Sequence, residues 1–280
     1  MANEIKSTSL VKPTLVVGAV LEAHDNLVVF PRIRSNVIGQ GEGITSSYAI
    51  MPTLSVSDVT EGTAMSNTAY SQSAVNITVA QRGIKITALD IATRASPFGL
   101  EGIMANVIRQ VTEDMDAKIT ALFGGFTTNT EVTGTTLTSA LVFQALGRVL
   151  SGTGNMAMSS PDLTCVIHTS QWASLLSDLA SNGAALAQTG IMQGVANGNL
   201  QSLYGVQLAV TNQCGDAGTG QKSGALFYRD ALGAVVQWGV RPVSLAHPDA
   251  GGGPGVISTV THSTGYSELV DAYGVELITD

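Results

Sequence analysis

The amino-acid sequence predicts a mixed α+β fold, in which helices and strands follow one another without a regular β-α-β repeat. Residues 97–123 place apolar side chains every three or four positions, the pattern of a long helix that lies on a core. Residues 75–79 alternate apolar and polar side chains, as a strand with one buried face does. Residues 126–280 then mix short strand patterns with two further helix patterns. These observations favour the α+β class over a doubly wound parallel sheet.

The long helix has recognisable ends. Ser96 stands at the N-cap position, and Pro97 suits the first helical position because no hydrogen-bond partner is needed there. Two glycines after Phe123 suit the helix end. The apolar stripe consists of Leu100, Ile103, Met104, Val107, Ile108, Val111, Met115, Ile119 and Leu122. We expect the opposite face to meet solvent or a neighbouring subunit, and it carries Arg109, Glu113, Asp116 and Lys118.

The composition indicates a protein whose surface is largely buried in contacts with other protein chains. Charged residues make up 12% of the 280 residues, whereas a globular domain typically has about 25%. A soluble monomer normally exposes many charged groups. We therefore expect copies of this chain, or other proteins, to cover much of its surface.

Charge and cysteine content exclude several function classes. The net charge of −8 argues against nucleic-acid binding, which needs a basic surface. No apolar run reaches 18 residues, so the sequence predicts no transmembrane helix. Cys165 and Cys214 are too few for a disulfide framework. We predict that both are small buried side chains.

The first 90 residues predict an extended arm followed by a hairpin. Leu27–Phe30 has the pattern of a short apolar strand that Pro31 ends, and glycines at 39, 41 and 43 predict a flexible corner. Residues 44–90 then contain an outgoing strand, a polar middle and a returning strand, with a turn or bulge at Gln81–Gly83. A two-stranded hairpin is marginally stable alone. It must lie either on its own domain or over the next subunit.

The second half of the chain predicts two helices and several strands. The helices span residues 137–150 and 169–181, and the second turns Trp172, Leu175, Leu176 and Leu179 inward. Strand patterns occur at residues 163–168, 206–211, 225–228 and 234–238. Residues 256–264 and 272–279 are expected to be two strands that close one sheet.

The sequence shows no motif for catalysis, cofactor binding or a metal site, and we predict none of them. Its four histidines form no cluster and are His24, His168, His247 and His262. Cys165 and His168 make half a metal site without a second ligand pair. A hydrolase that uses a serine with His168 or His262 stays open as an alternative, and it requires a serine–histidine contact in a pocket.

Charged groups that stand together have structural explanations. Glu113, Asp114 and Asp116 fit a solvated or inter-subunit helix face better than acid–base chemistry. Arg229 and Asp230 fall between two predicted strands, so we interpret them as a turn-stabilising pair.

The order of the parts resembles a known family. An arm, a long hairpin and a long helix precede three blocks, PDLTCVIHTSQWASLL, LYGVQLAVTNQ and SGALFYRDALGAVVQWG. The strand, the His-x-x-Gln at residues 168–171 and the following helix, then Gly205–Asn212 and Asp230-Ala231, are similar to the major capsid protein of tailed bacteriophages. That fold is shared with encapsulins and herpesvirus capsid floors. The resemblance covers the chain from about residue 40, and each motif alone is weak.

The resemblance implies a division of the chain. It places an N-terminal arm at residues 1–44 and an extended loop, a β-hairpin, at 45–88. A peripheral domain would comprise 89–134 and 251–280, with the spine helix at 97–123. An axial domain with a mixed sheet and flanking helices would comprise 135–250.

The resemblance also implies partners. The subunit would assemble with itself into pentamers and hexamers of an icosahedral shell around double-stranded DNA, without sequence-specific binding and without a membrane. The shell would form in the host cytoplasm and carry a portal. Because the arm is short and charge-poor, any scaffolding protein is expected to be a separate chain, and a decoration protein is a further possible partner.

Seven residues are candidates for contacts between subunits under this resemblance: Glu61, Tyr70, Arg82, Glu113, Asp116, Arg229 and Asp230. Three other interpretations stay open at this point. They are an encapsulin-like compartment with protein cargo, a soluble hydrolase, and a phage tail or decoration protein.

Overall fold

A computed structural model describes residues 27–50, 58, 61, 70–90, 99–130, 136–153, 162–181, 200–218, 220–248 and 253–280. This part of the chain contains helices α1 (Gly99–Thr120), α2 (Ser139–Thr153) and α3 (Thr169–Ser181). The first strands are β1 (Arg34–Val37), β2 (Thr45–Ile50), β3 (Ser73–Thr78), β4 (Ala80–Leu89), β5 (Leu163–Ile167) and β6 (Ser202–Leu203). The others are β7 (Val206–Val210), β8 (Asp216–Gly218), β9 (Gln221–Tyr228), β10 (Leu232–His247), β11 (Gly255–Glu268) and β12 (Gly274–Thr279).

The first sheet supports the long helix. Its strand order is β1-β10-β11-β4, with β1 parallel to β10 and the other pairs antiparallel. Helix α1 lies on one face of this sheet through a buried cluster that combines Met104, Val107, Ile108 and Val111 with Val260 of β11. The part of the predicted stripe from Met104 to Val111 therefore packs as expected. Ser96 and Pro97, predicted to start the helix, lie outside the described residues.

The second sheet forms the other core. Its order is β12-β9-β5-β7-β6, and β8 pairs with β9. Every residue of β5 and of β12 is buried. Helices α2 and α3 pack against this sheet through Val142, Leu146, Leu175 and Leu179. Both helices and the strands β5, β7 and β9 confirm the predictions made for this half of the chain.

The hairpin base rests on its own subunit. Strands β2 and β3 pair antiparallel from Thr45 opposite Thr78 to Ile50 opposite Ser73. Ile77 is buried against Val235 and Leu269. The hydroxyl of Tyr48 donates a hydrogen bond to the carbonyl of Ala234 at 2.7 Å. Of the two placements left open, the one on its own domain is therefore correct for this base. Most of the polar middle lies outside the described residues.

Two local predictions were wrong. Gln81–Gly83 is not a turn, because β4 runs straight through it and pairs Gly83 with Thr261. Glycine is needed there for close approach, since a Cβ atom would lie 2.3 Å from the carbonyl oxygen of Val260. The apolar run at Leu27–Phe30 is not a strand. It leads into a short 3-10 helix at Phe30–Arg32, in which Pro31 supplies the fixed backbone angle.

Strand pairing also crosses the expected domain boundaries. Strands β4 and β10 belong to the sheet under α1, although residues 45–88 were assigned to the loop and 135–250 to the axial domain. Strand β12 belongs to the second sheet, although it was assigned to the peripheral domain with β11. The two C-terminal strands therefore belong to two different sheets, because a 3-10 turn at Asp271–Tyr273 redirects the chain between them.

Candidate interaction surfaces

The exposed face of α1 carries a local ion pair. Arg109 Nε lies 2.8 Å from Glu113 Oε1, one helical turn away, and Gln110 donates to the other carboxylate oxygen at 3.4 Å. The bond to Glu113 raises the pKa of Arg109 above its ordinary value. Exposed pairs of this kind contribute little stability. Glu113 is thus free to meet another subunit without a large loss inside its own.

Asp116 does not lie on this exposed face, and the prediction for it was wrong. The residue is only 3% exposed. Its carboxylate accepts hydrogen bonds from the backbone N–H groups of Val28 at 2.7 Å, Val29 at 3.1 Å and Phe30 at 2.9 Å. Asp116 therefore fixes the N-terminal segment onto α1 within one subunit and cannot contact a neighbour.

A row of buried polar residues explains this placement. Thr112, Asp116 and Thr120 follow one another at four-residue intervals along α1, and all three are buried. Thr120 donates to the carbonyl of Gln213 at 2.6 Å, and Thr112 donates within the helix to Ile108 at 2.8 Å. The helix is thus covered on two sides, by the first sheet and by the N-terminal segment. The regular Thr-x₃-Asp-x₃-Thr spacing is the sequence signal that could have revealed the second side.

Arg82 lies where β4 faces α1. Its guanidinium is 3.7 Å from Asp114 Oδ2, and the same oxygen is 3.4 Å from Nε2 of His262. Arg82 and Asp114 are partly exposed, whereas the His262 side chain is 1% exposed. Arg82 is therefore positioned by its own subunit at the rim of a cavity of about 360 Å³ between β4 and α1.

Arg229 and Asp230 do not pair with each other as predicted. Asp230 Oδ1 lies 3.3 Å from Arg34 of β1, and both side chains are about half exposed. The guanidinium of Arg34 also stands 5.9 Å from the ring centroid of Tyr48. Arg229 is exposed, and its backbone N–H donates to the carbonyl of Asp162. The turn thus contacts β1 through Asp230, and Arg34 of β1 in turn contacts the hairpin base at Tyr48.

The remaining candidates lie near the hairpin. Glu61 is exposed, and Tyr70 is 54% exposed with a hydrogen bond at 3.3 Å from Gln72. Other exposed apolar side chains occur at Val37 and Ile44 beside the hairpin base and at Val243 and Leu245 at the far end of β10. Sequence reasoning missed these four, because their strand patterns do not show which face stays uncovered.

The described residues offer little for catalysis or metal binding. Among them, no three of the usual ligand side chains lie close enough to hold a metal ion. Burial raises the pKa of Cys165 to about 12, so its thiol stays protonated. None of the helices in the described part of the chain is long and apolar enough to cross a membrane.

In the described part of the chain, the serine–histidine contact that a hydrolase requires occurs only as a local interaction. Nδ1 of His168 lies 2.9 Å from Ser170 Oγ and also accepts the backbone N–H of Ser170 at 3.1 Å. These bonds hold the ring at the first turn of α3. The cavities of about 350 and 360 Å³ beside α1 include neither residue. His262 contacts a threonine rather than a serine.

The His-x-x-Gln block has a structural role in this subunit. Gln171 is fully buried, and its side-chain amide donates to the carbonyl of Lys222 in β9 and to Thr279 Oγ1 in β12, both at 2.9 Å. Its oxygen accepts the backbone N–H of His168 at 3.0 Å. One side chain thus ties α3 to two strands of the second sheet.

Solved structures from phages have a similar fold. The chain matches a structure from Mycobacterium phage Che8 with a TM-score of 0.67 and 18% identity over 84% of each chain. It matches the capsid structure of Helicobacter pylori bacteriophage KHP30 with a TM-score of 0.66 and 12% identity, over 100% of this chain and 94% of that one. The chain has the fold of phage capsid proteins. The capsid fold confirms the predicted α+β class and the resemblance.

The capsid fold is also found outside phages. A virus-like particle from Pyrococcus furiosus matches with a TM-score of 0.57 and 12% identity, over 95% of this chain and 100% of that one. No family model matches the sequence, and no curated protein matches it. The likeness therefore rests on the capsid fold and not on sequence identity.

Proposed function

We propose that this chain is the major capsid protein of a tailed bacteriophage, a structural subunit of the virion. Copies of it form pentamers and hexamers of an icosahedral shell. The observation that carries this proposal is the capsid fold, which extends over 84% to 100% of the chain in the matching phage structures. The encapsulin-like alternative is not better supported, since the virus-like particle from Pyrococcus furiosus matches with a TM-score of 0.57 against 0.67 for the structure from phage Che8.

The surface of the subunit supports self-assembly. Only 12% of the residues are charged, and the first sheet exposes apolar side chains near both of its ends, with Val37 68% and Leu245 66% exposed. Apolar side chains left uncovered on a charge-poor surface favour contacts between proteins. Subunit contacts in a closed shell would cover them.

We assign the parts of the subunit by sheet. Residues 1–44 are assigned to the arm, which contributes β1 to the first sheet, and the extended loop begins at β2. The peripheral domain comprises α1 with the first sheet, including β10, and the axial domain comprises α2 and α3 with the second sheet, including β12. Glu61, Tyr70, Arg82, Glu113, Arg229 and Asp230 remain candidates for contacts between subunits.

The shell encloses double-stranded DNA without reading its sequence. A net charge of −8 suits a wall that does not bind DNA tightly. A portal completes the shell, and separate scaffolding or decoration proteins are its further partners.

Electron cryomicroscopy of the purified full-length chain tests the proposal. We expect closed icosahedral shells built from pentamers and hexamers. A stable monomer in sedimentation velocity at high concentration, or a tube, would overturn it. Particles isolated from their natural source are expected to contain double-stranded DNA, whereas protein cargo would indicate an encapsulin-like compartment. An esterase assay with a Ser170→Ala control tests the hydrolase alternative.

A further inference from the structure

A buried histidine connects the first sheet to the long helix. His262 lies on β11, directly opposite Arg82 of β4, and its side chain is 1% exposed. Nε2 has no hydrogen-bond partner among the described residues, although Oδ2 of Asp114 on α1 stands 3.4 Å away. An unpaired buried nitrogen of this kind is unusual in a folded protein.

The other ring nitrogen indicates where the hydrogen of the neutral ring lies. Nδ1 is 2.9 Å from the hydroxyl of Thr264, which can donate or accept. The carboxylate of Asp114 can only accept a hydrogen bond, so the neutral ring carries its hydrogen on Nε2, the nitrogen that faces Asp114. Thr264 then donates to Nδ1. Acid adds the second proton at Nδ1. Thr264 must then stop donating to this atom, and the ring becomes a cation.

Burial is the main factor against that cation, because the ring is only 1% exposed and little water can reach it. Asp114 on α1 attracts it, but Arg82 on β4 repels it and already shares the same carboxylate oxygen at 3.7 Å. Lys118 of α1 lines the same cavity as His262 and adds a second positive charge. Tyr266, on the same strand, stays neutral because burial raises its pKa.

We propose that His262 is an acid-sensitive latch, which holds α1 against β4 and β11 while its ring is neutral and loosens this packing when it takes up a proton. The cavity of about 360 Å³ beside the ring gives water a place from which to reach the new cation if α1 shifts. The latch is independent of the proposed shell function, because all of its groups belong to one subunit.

The pH range follows from the direction of the shift. Burial is the largest cause and lowers the pKa of His262 from its ordinary value of 6.5; Asp114 opposes this, and Arg82 adds a smaller lowering. The unfolded chain therefore binds a proton near pH 6.5, before the folded chain does. The stabilisation is fully present above pH 6.5 and is lost as the pH falls toward the lowered value.

Hydrogen exchange with mass spectrometry on the purified full-length chain tests the latch. After correction for the intrinsic pH dependence of exchange, we expect protection of α1 residues 103–118 to fall between pH 7.5 and pH 5.5, while α3 keeps its protection. His262→Gln is expected to remove this difference. The matched control His247→Gln changes an exposed histidine at the end of β10 and is expected to keep it. Unchanged α1 protection in the unmodified chain would overturn the latch.

Two neighbouring substitutions decide the question even if His262→Gln does not fold. Asp114→Asn removes the attraction for the cation, so the midpoint of the α1 transition should move to lower pH. Arg82→Gln removes a repulsion and should move it to higher pH. Each shift is expected to be about one to three pH units, the range for a single charged group close to a titrating side chain. Shifts in the same direction would contradict the latch.

Discussion

The carboxylate of Asp116 organises the start of the described chain. It accepts three successive backbone N–H groups, from Val28 to Phe30, and these residues have no strand partner of their own. Buried backbone groups need such partners. A side chain on α1 thus replaces the strand neighbour that the apolar pattern of Leu27–Phe30 had led us to expect.

Replacing this carboxylate should weaken the subunit. We expect Asp116→Asn to lower the free energy of unfolding by about 1.5–3 kcal/mol. The neutral amide loses the charge-assisted hydrogen bonds, and its NH2 group faces backbone N–H groups that are also donors. Urea unfolding measures the difference. Glu113→Gln, at a half-buried carboxylate on the same helix, is the matched control and should change it by less than about 0.5 kcal/mol. Equal losses in both variants would show that Asp116 makes no special contribution.

Gly83 provides a second test at the scale of one residue. A methyl group there would lie 2.3 Å from the carbonyl oxygen of Val260, so β4 and β11 must separate locally to admit it. We expect Gly83→Ala to lower the thermal midpoint by several degrees, on the order of 1–3 kcal/mol of strain. Gly239→Ala is the control, because a methyl group at residue 239 meets no atom within 4 Å. Calorimetry that finds the two variants equally stable would contradict this expectation.

Sequence periodicity correctly predicted which side chains are buried only where a helix or strand packs on a single neighbouring surface. The stripe from Met104 to Ile119 on α1 is buried as its spacing indicated. Asp116 was misplaced because the segment that covers it is 86 to 88 residues earlier in the chain. Local pattern carries no information about such a contact. The same limit applies to Gly83, whose role depends on the strand across from it.

At the scale of elements, we expect the buried face of α1 to matter for folding and its polar face to matter for assembly. Val111 is 3% exposed and packs in the cluster with Val260, so Val111→Asp would bury an unpaired charge. We expect this variant not to fold, by circular dichroism. Glu113→Lys changes a side chain that is 33% exposed at the rim of a cavity, and should keep the helix content and a thermal midpoint within a few degrees. An unfolded Glu113→Lys variant would mean that this face is also covered within the subunit.

The elements themselves were easier to predict than their partners. Helices α2 and α3 and strand β5 follow from spacing and apolar runs alone. The sheet to which a strand belongs cannot be predicted in the same way. Strand β10 follows β9 after a short turn, yet it pairs with β11 in the other sheet. The buried amide of Gln171, which donates to two strands far away in sequence at 2.9 Å, is an example of a contact between distant segments. Contacts between distant segments decide the partner, and one sequence does not display them.

At the scale of the whole molecule, the uncovered end of the first sheet should matter only for assembly. Leu245 is 66% exposed near the end of β10, so a charge there costs the isolated subunit little. In a closed shell a covered carboxylate without a partner costs much more. We expect Leu245→Asp to keep the circular dichroism spectrum and to reduce shell yield at least tenfold by sedimentation. Leu245→Met preserves apolar area and should assemble normally. Normal assembly of Leu245→Asp would place this end of the sheet on the free surface of the shell, and the subunit contacts would then lie with Val37 and the hairpin base instead.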